Sequence, residues 1–376
     1  MKQTRLKRLQ LIGLLGVGFL LLNELTAEPS VQTLWKAGEG SYHTYRIPAI
    51  IQAADGSLLA FCEGRRSGRS DAGDIDLLMK RSIDGGLTWG RSEVLWDDGA
   101  NTCGNPCPVL DQSTGTIWLL LTHNLGTDHE SDIVAGTSAG SRTVWVTSSR
   151  DHGVTWGEPR EITSTTKRSN WTWYATGPGI GAQLATTENK GRLVIPCDHK
   201  VLGSKKLYSH VIYSDDHGMS WRLGGRVPDD MNNECQLVEL SDGRLLMNMR
   251  HYDRNRMTRS LSYSEDGGET WSGNFFQSEL VDPICQASLI SVSLNGPLLF
   301  SNPASPSKRV NLTVRLSQDQ GRTWPLQRVL HEGPAAYSCL VFLGAGKIGC
   351  LYEAGTRSSY ETIRLAVFDL DDLSVQ

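Results

Sequence analysis

The chain has 376 residues, with 37 Lys and Arg against 41 Asp and Glu, so its formal net charge is only −4. It carries no basic stripe and no long run of one charge, which argues against nucleic acid as a partner. Its length fits one large domain or two ordinary ones, and internal repeats have to decide between them.

The first 27 residues have the pattern of a secretory signal. Basic residues between Lys2 and Arg8 precede an apolar run over 11–22, and a stretch of small and polar residues ends near Ala27. The apolar run is shorter than the ~20 residues that span a bilayer. We therefore expect residues 1–27 to be a signal peptide, with an uncleaved anchor as the alternative. The mature chain would be secreted or periplasmic, with no membrane span.

An eight-residue pattern, Ser-x-Asp-x-Gly-x-Thr-Trp, then occurs five times, once with Ser in place of Thr. The copies begin at Ser82, Ser149, Ser214, Ser264 and Ser317. The residues before each copy alternate in the manner of a strand, so the motif is predicted to form the turn that leaves a strand. Its Asp would accept backbone N–H bonds, its Gly would take a positive φ, and its Trp would cover the hairpin.

The spacing of the copies predicts the architecture. Each interval of 50 to 67 residues holds about four short strands, which is the content of one propeller blade. Five copies, followed by further strand pattern without a copy, predict an all-β, six-bladed β-propeller that occupies residues 28–376 as a single domain. The final "ETIRLAVFDL" is expected to pair with the first strands of the mature chain and to close the ring.

The five repeats and the sequence "YRIP" at Tyr45–Pro48 resemble the exo-α-sialidase (neuraminidase) family of bacterial and animal cellular type. Members of that family are six-bladed propellers with such repeats, called Asp boxes, and an (F/Y)RIP motif near the mature N-terminus. The resemblance runs from residue 34 to residue 370. It implies sialylated glycans as substrate and no cofactor. Asp boxes also occur in other secreted propellers, and we expect them on the rim, away from the chemistry.

A sialidase must bind the carboxylate that sialic acid carries on its anomeric carbon. Arginine suits this task because its planar fork bonds a carboxylate in two places and stays charged. The resemblance implies a triad of Arg46, Arg250 and Arg309, which strands of different blades would bring to one axis. Arg315 is a rival for the position of Arg309.

The resemblance implies Tyr337 as the nucleophile and Glu234 as its base. A neutral phenol avoids the repulsion that a carboxylate nucleophile would meet at this substrate, and sialidases differ from most retaining glycosidases in this choice. A phenol of pKa ~10 needs a base near neutral pH. Glu239 is the rival base, five residues along, an odd step that an alternating strand turns to its opposite face.

The remaining assignments also follow from the resemblance. Asp71, on a loop rich in Gly and Ser, is implied as the acid/base, with Asp74 and Asp76 as neighbours that run into the next strand. Arg65 is implied to contact the region of the sugar's 4-hydroxyl group, and Glu353 to hold the first arginine of the triad.

Other features were less specific. Trp173 and Tyr174 offer aromatic surface for the N-acetyl and glycerol ends of the sugar. Asn105 stands near the place where some relatives have an aspartate that touches the substrate. Among eight cysteines, Cys103 and Cys107 are close enough in sequence to form a small disulfide loop, with buried free thiols as the alternative. The scattered histidines show no metal-ligand spacing, so no metal site is predicted.

The sequence therefore predicts a retaining exo-α-sialidase. One alternative is a trans-sialidase or an enzyme that forms an anhydro product, because the acceptor that reaches the covalent intermediate decides between these reactions. A second alternative is a non-catalytic propeller that binds sialic acid. The presence of Asp71, Glu234 and Tyr337 together argues against it, since binding needs only the arginines.

Overall fold

The computed structural model describes residues 28–186 and 188–375, which form an all-β chain with three short helical turns. The predicted signal peptide lies outside the described residues. Within the described part, no helix is long and apolar enough to cross a membrane.

The strands of the first half form three antiparallel units. The chain begins with β1 (Ser30–Lys36), which belongs to the last unit. The first unit contains β2 (Thr44–Gln52), β3 (Leu58–Arg65), β4 (Ile75–Ser82) and β5 (Glu93–Trp96). The second contains β6 (Thr102–Leu110), β7 (Ile117–Asn124), β8 (Thr143–Ser149) and β9 (Arg160–Glu161). The third contains β10 (Trp171–Thr176), the short β11 (Ala182–Gln183), β12 (Leu193–Val201), β13 (Leu207–Ser214) and β14 (Arg222–Arg226). Two short helices, α1 (Glu130–Ala135) and α2 (Thr163–Thr166), lie in connecting segments.

Three further units follow. The fourth contains β15 (Asn232–Glu239), β16 (Leu245–His251), β17 (Thr258–Ser264) and β18 (Phe275–Val281). The fifth contains β19 (Ser288–Ser291), β20 (Leu298–Pro303), β21 (Val310–Ser317) and the first part of β22 (Leu326–Gly344). The sixth contains the second part of β22, β23 (Lys347–Ala354), β24 (Thr362–Asp369) and β1. A 3₁₀ turn (Leu370–Asp372) and β25 (Ser374–Val375) complete the described chain.

The two ends of the described chain meet in the sixth unit. β1 pairs antiparallel with β24, with Val31 opposite Ala366 and Thr33 opposite Arg364. The predicted pairing of the C-terminal strand with the first strand is therefore confirmed.

The apolar core is divided into clusters that lie between successive units. Separate clusters join the second unit to the third, the third to the fourth, the fourth to the fifth and the fifth to the sixth. The largest cluster joins the sixth, first and second units, with Leu365, Phe61 and Leu119 among its members. The contacts between units thus follow a closed cycle.

Each copy of the repeated motif forms the turn between the last two strands of a unit. In the first copy, Asp84 accepts hydrogen bonds from the Thr88 amide (2.9 Å) and the hydroxyls of Thr88 (2.5 Å) and Ser82 (2.7 Å). Gly86 has φ +89° there, in the region that favours glycine. In the sixth unit the third and fourth strands are β24 and β1, which lie at opposite ends of the described chain. No turn joins them, so that unit has no place for a copy.

All eight cysteines are buried and unpaired, so of the two alternatives that the sequence left open the structure has the free thiols and not the Cys103–Cys107 bridge. Both residues lie on β6, but the strand register shifts between Gly104 and Cys107. Cys103 packs in the cluster of the first unit, whereas Cys107 packs in the cluster shared with the third. The two thiols therefore belong to different parts of the core.

Candidate active site

One cavity of about 310 Å³ brings most of the predicted site residues together. The predicted residues that line it are Arg46, Arg65, Asp71, Glu234, Arg250, Arg309 and Tyr337. Glu353 lies directly behind this lining and is fully buried. These residues belong to the first, fourth, fifth and sixth units or to their connecting segments. The cavity thus lies where several units converge, and none of the repeated turns contributes to its lining.

Register shifts in the first strands of the units aim residues into this cavity. The shifts fall at Arg46/Ala49, Gly104/Cys107, Trp171/Tyr174, Asn232/Cys235 and Ala335/Ser338. A β-bulge bends its strand and redirects a side chain. The residues within these shifts include Asn105, Trp173, Glu234 and Tyr337, all of which line the cavity. The bulges therefore connect the fold to the site.

The "YRIP" segment shows how one arginine is held. Ile47 has φ +60°, a strained value for a β-branched residue, at the register shift that follows Arg46. Glu353 Oε1 accepts hydrogen bonds from Arg46 Nε (2.7 Å) and from the Ile47 amide (2.9 Å). The buried carboxylate thus fixes both the guanidinium group and the strained backbone beside it.

Tyr337, Glu234 and Arg250 form a connected group at the base of the cavity. The Tyr337 hydroxyl donates to Glu234 Oε1 (2.6 Å), and Arg250 Nη1 donates to Glu234 Oε2 (2.7 Å) and to the Tyr337 hydroxyl (3.2 Å). Burial and the charge of Glu234 raise the pKa of Tyr337 well above its ordinary value, although neighbouring arginines act in the opposite direction. The phenol therefore keeps its proton in the free site, with a carboxylate placed to accept it.

Asp71 lies at the cavity mouth on the loop between β3 and β4. Its Oδ1 is 2.7 Å from Arg65 Nη2, and its side chain is 54% exposed. Partial burial raises the pKa of Asp71, but the charges of Arg65 and Arg46 outweigh burial and bring the pKa below its ordinary value. Its neighbours Asp74 and Asp76 instead pair with Arg66, at 3.2 and 2.7 Å, and do not line the cavity.

The rival candidates lie elsewhere. Glu239 is on the same strand as Glu234, but it accepts hydrogen bonds from the amides of Ala185 (2.6 Å) and Thr186 (3.0 Å) and lines a different cavity. Arg315 Nη1 is 3.3 Å from Asn302 Oδ1, outside the cavity lining.

Arg309 contacts a residue that sequence analysis missed. Its Nη1 donates to the Tyr360 hydroxyl (2.9 Å) and its Nη2 to the carbonyl of Ile284 (3.2 Å). Unlike Arg46 and Arg250, it forms no ion pair with a carboxylate of the described residues. Its charge is therefore available to an anion. Tyr360 lies in a polar loop, and no motif marks it.

Another part of the cavity lining combines an aromatic ring with buried polar groups. The Arg142 guanidinium carbon lies 4.1 Å from the centroid of Trp173, and Arg142 also donates to the Asn105 side chain. Of the two predicted aromatic residues only Trp173 lines the cavity. Tyr174 is buried away from it, with its hydroxyl 3.0 Å from His210 Nε2.

Asp198 is a further buried carboxyl group that sequence analysis missed. Its Oδ2 accepts from Asn233 Nδ2 (2.6 Å), and its Oδ1 has no hydrogen-bond partner among the described residues. Burial, followed by the charge of Glu234, raises the pKa of Asp198 well above its ordinary value. Its strand, "LVIPCDHKV", reads as a buried core strand, so sequence analysis did not single out Asp198.

Within the described residues, no group of three or more His, Cys, Asp or Glu side chains is arranged to hold a metal ion. The chemistry available to the cavity is that of its arginines, carboxyl groups and tyrosines. Such a set can bind an anion and transfer protons beside a nucleophilic oxygen.

Comparison with known sequences identifies relatives over most of the chain. Residues 56–350 match the model of the BNR repeat-like domain family. A sialidase of Micromonospora viridifaciens is 34% identical over 358 residues, which cover 89% of this chain and 54% of that protein. An exo-alpha-sialidase of Aspergillus fumigatus is 31% identical over 371 residues, which cover 88% of this chain and 84% of that protein. A Bacteroides fragilis sialidase is 29% identical, with 88% of this chain and 63% of that protein covered. The chain thus spans only 54% and 63% of the two bacterial relatives.

Comparison with solved structures gives the same relationship. The Hadza microbial sialidase Hz136 has a TM-score of 0.83 at 29% identity, over 92% of this chain and 69% of that one. The leech intramolecular trans-sialidase has a TM-score of 0.78 at 19% identity, over 92% of this chain and 71% of that one, a likeness that concerns the fold alone. With the family model and the relatives in agreement, the chain belongs to the sialidase family of BNR-repeat proteins.

Proposed function

We propose that this protein is a retaining exo-α-sialidase that hydrolyses terminal sialic acid from glycoproteins, glycolipids or oligosaccharides. The observation that carries the proposal is the buried Tyr337 hydroxyl, which is hydrogen-bonded to Glu234 in a cavity that Arg46, Arg250 and Arg309 also line. A phenol paired with a carboxylate and surrounded by guanidinium groups suits attack on a carbon that itself bears a carboxylate.

The arginines bind the substrate carboxylate in this proposal. Nε of Arg46 is occupied by Glu353, and Nη1 of Arg250 by Glu234, so each guanidinium group keeps other N–H groups for a ligand. Arg309 supplies the charge that no carboxylate of the described residues neutralises. Binding here fixes the anomeric carbon beside Tyr337 and excludes substrates that lack the carboxylate.

The reaction proceeds in two steps. First, the Tyr337 oxygen forms a bond to the anomeric carbon as its proton passes to Glu234, while the glycosidic bond breaks and the leaving oxygen takes a proton from Asp71. Second, Asp71 draws a proton from water, whose oxygen attacks the anomeric carbon and displaces Tyr337. The phenol then recovers its proton from Glu234. The two displacements retain the configuration of the sugar.

Asp71 has to be protonated to act as the acid, yet the charges of Arg65 and Arg46 lower its pKa in the free site. A substrate carboxylate at the arginines brings a negative charge near the same group. This charge offsets the effect of the arginines and favours the protonated form of Asp71. Substrate binding thus prepares the acid for the first step.

The proposal also covers the architecture of the fold and the cellular location of the protein. The cyclic order of contacts between the six units supports a six-bladed propeller with the cavity at its axis and the repeated Asp-box turns on its rim. The pattern of residues 1–27 supports export through a signal peptide to the periplasm or the exterior.

The test is turnover of a methylumbelliferyl α-sialoside by protein without residues 1–27, together with Tyr337→Phe and Asp71→Ala. Release of both fluorophore and free sialic acid by the unsubstituted protein, with turnover abolished in Tyr337→Phe, is the expected result. Full turnover in Tyr337→Phe would refute the assignment of the nucleophile. Fluorophore without free sialic acid would indicate transfer or an anhydro product, and binding without turnover would indicate a lectin. Tyr263→Phe, outside the cavity, is the control.

A further inference from the structure

Tyr360 contacts two of the three arginines to which we assign carboxylate binding. The Arg46 guanidinium carbon lies 4.1 Å from the centroid of its ring, and the Tyr360 hydroxyl accepts a hydrogen bond from Arg309 Nη1 at 2.9 Å. One side chain thus combines a cation–π contact with a hydrogen bond to a different cation. Tyr360 lies in the loop between β23 and β24, apart from the segments that carry the two arginines.

The loop that carries Tyr360 is held in place by hydrogen bonds of the next residue, Glu361. The carboxylate of Glu361 accepts hydrogen bonds from the amides of Thr356 (3.0 Å), Arg357 (2.9 Å) and Ser358 (3.0 Å). The backbone carbonyl of Glu361 accepts from the amide of Ala37 (2.9 Å), which ties the loop to the segment after β1. Because the residue next to Tyr360 is fixed in this way, the ring is presented to the cavity by a defined turn.

The contacts of Arg46 leave its terminal N–H groups as the atoms that can bind a ligand. Its Nε is bound by Glu353 at 2.7 Å, and the rings of Tyr360 and Tyr337 lie 4.1 and 5.0 Å from its guanidinium carbon. The terminal nitrogens of Arg46 form no hydrogen bond with the described residues. A guanidinium group with aromatic rings against it and Nε engaged offers its terminal N–H groups in its own plane, which is the geometry of bidentate carboxylate binding.

We propose that Tyr360 is a positioning residue for the carboxylate subsite, in that its ring orients Arg46 and its hydroxyl orients Arg309. The inference rests on the proposed sialidase function and concerns the same cavity. Tyr360 acts through the two arginines, so its removal weakens recognition of the carboxylate more than recognition of the rest of the sugar.

The experiment compares two unreactive ligands by calorimetry. The first is 2-deoxy-2,3-didehydro-N-acetylneuraminic acid, which has the carboxylate, and the second is its methyl ester, which has no charge there. The variants are Tyr360→Phe, which removes only the hydroxyl, and Tyr360→Leu, which also removes the ring. The control is Tyr263→Leu, because Tyr263 stacks on Arg244 at 4.5 Å outside the cavity. Melting temperatures are measured for all variants.

We expect Tyr360→Phe to weaken binding of the acid by about threefold to tenfold, which corresponds to the loss of one hydrogen bond. Tyr360→Leu loses the cation–π contact as well, so its binding of the acid should weaken by about tenfold to a hundredfold. Binding of the methyl ester should change by less than about twofold in both variants, since its ester group cannot exploit the charge of the arginines. The control should bind both ligands like the unsubstituted protein.

Two results would overturn the inference. Equal losses for the acid and the ester would show that Tyr360 only packs the wall, and unchanged or tighter binding of the acid would show that it does not orient the arginines. Failure of the proposed function has a different signature. In that case the unsubstituted protein would neither prefer the acid over the ester nor turn over a sialoside, whereas failure of this inference leaves both properties intact.

Discussion

Glu353→Gln tests the connection between the buried core and the cavity. The side chain is fully buried and accepts three hydrogen bonds, from Arg46 Nε (2.7 Å) and the amides of Ile47 (2.9 Å) and Tyr337 (3.2 Å). Glutamine has nearly the same shape, but one acceptor oxygen becomes an NH₂ group and the negative charge is lost. At least one of the three donors then faces another donor, and Arg46 loses its charged partner.

The magnitude follows from these losses. Leaving a buried donor unsatisfied costs about 1–3 kcal/mol, and breaking a buried ion pair costs about 3–5 kcal/mol. Because glutamine keeps one acceptor, we expect the free energy of unfolding to fall by about 3 kcal/mol. For a protein of this length, that corresponds to a fall in melting temperature of about 4 °C. The KM for a sialoside should rise by about tenfold as Arg46 loses its orientation.

The assay combines thermal unfolding with steady-state kinetics, and Glu239→Gln is the matched control. Glu239 is also nearly buried and accepts hydrogen bonds from the amides of Ala185 and Thr186, but it lies outside the cavity. The control should lower the melting temperature and leave KM unchanged. A Glu353→Gln variant with an unchanged KM would refute the reasoning, since Arg46 would then keep its position without its carboxylate.

Three further predictions concern other parts of the molecule. Gly218→Ala, in the third repeated turn, places a Cβ 2.1 Å from the ring of Trp118 at φ +87°, so the free energy of unfolding should fall by about 2–4 kcal/mol in urea titrations. Asp198→Asn replaces a carboxyl group whose pKa burial raises in the folded state. The unsubstituted protein loses stability as pH rises above the unfolded pKa of this carboxyl group, ~4. The melting temperature of the variant minus that of the unsubstituted protein should therefore increase from pH 4 to pH 8. Asp71→Asn should lower kcat/KM far less for an aryl sialoside than for a sialyl-lactose, because kcat/KM reports the first step and only the sugar leaving group needs protonation there. Equal losses on both substrates would contradict its role as acid.

The strand content could be predicted because it depends on local pattern, and the pairing of β1 with β24 followed from the strand pattern left over after the five repeats. Alternating residues before each copy of the motif mark a strand, and the motif's Asp and Gly define the turn that follows it. Asp84 and Gly86 take the predicted parts in the first copy. The missing sixth copy also has a simple cause, since β24 and β1 are not joined by a turn.

The site was harder to predict from residues alone because bulges break the alternation that sequence analysis uses. Around Cys103 and Cys107 a register shift places two residues in different clusters, although a regular strand would put them on one face. Tyr360 depends on a loop conformation fixed by Glu361, and Asp198 lies in a strand whose residues have the character of core. Contacts of this kind appear only when distant segments meet.

The position of Arg250 supports the proposal that Tyr337, a phenol of raised pKa, serves as the nucleophile. In the free site burial keeps the proton on Tyr337, whose hydroxyl donates a hydrogen bond to Glu234. Arg250 Nη1 is within hydrogen-bonding distance of both oxygens, 2.7 Å from Glu234 and 3.2 Å from Tyr337. In the proposed first step the proton crosses to Glu234, and the negative charge that develops on the phenol oxygen lies beside the same cation. The transfer therefore separates no charge in the buried site, and the energy that burial adds to a free phenolate is largely avoided.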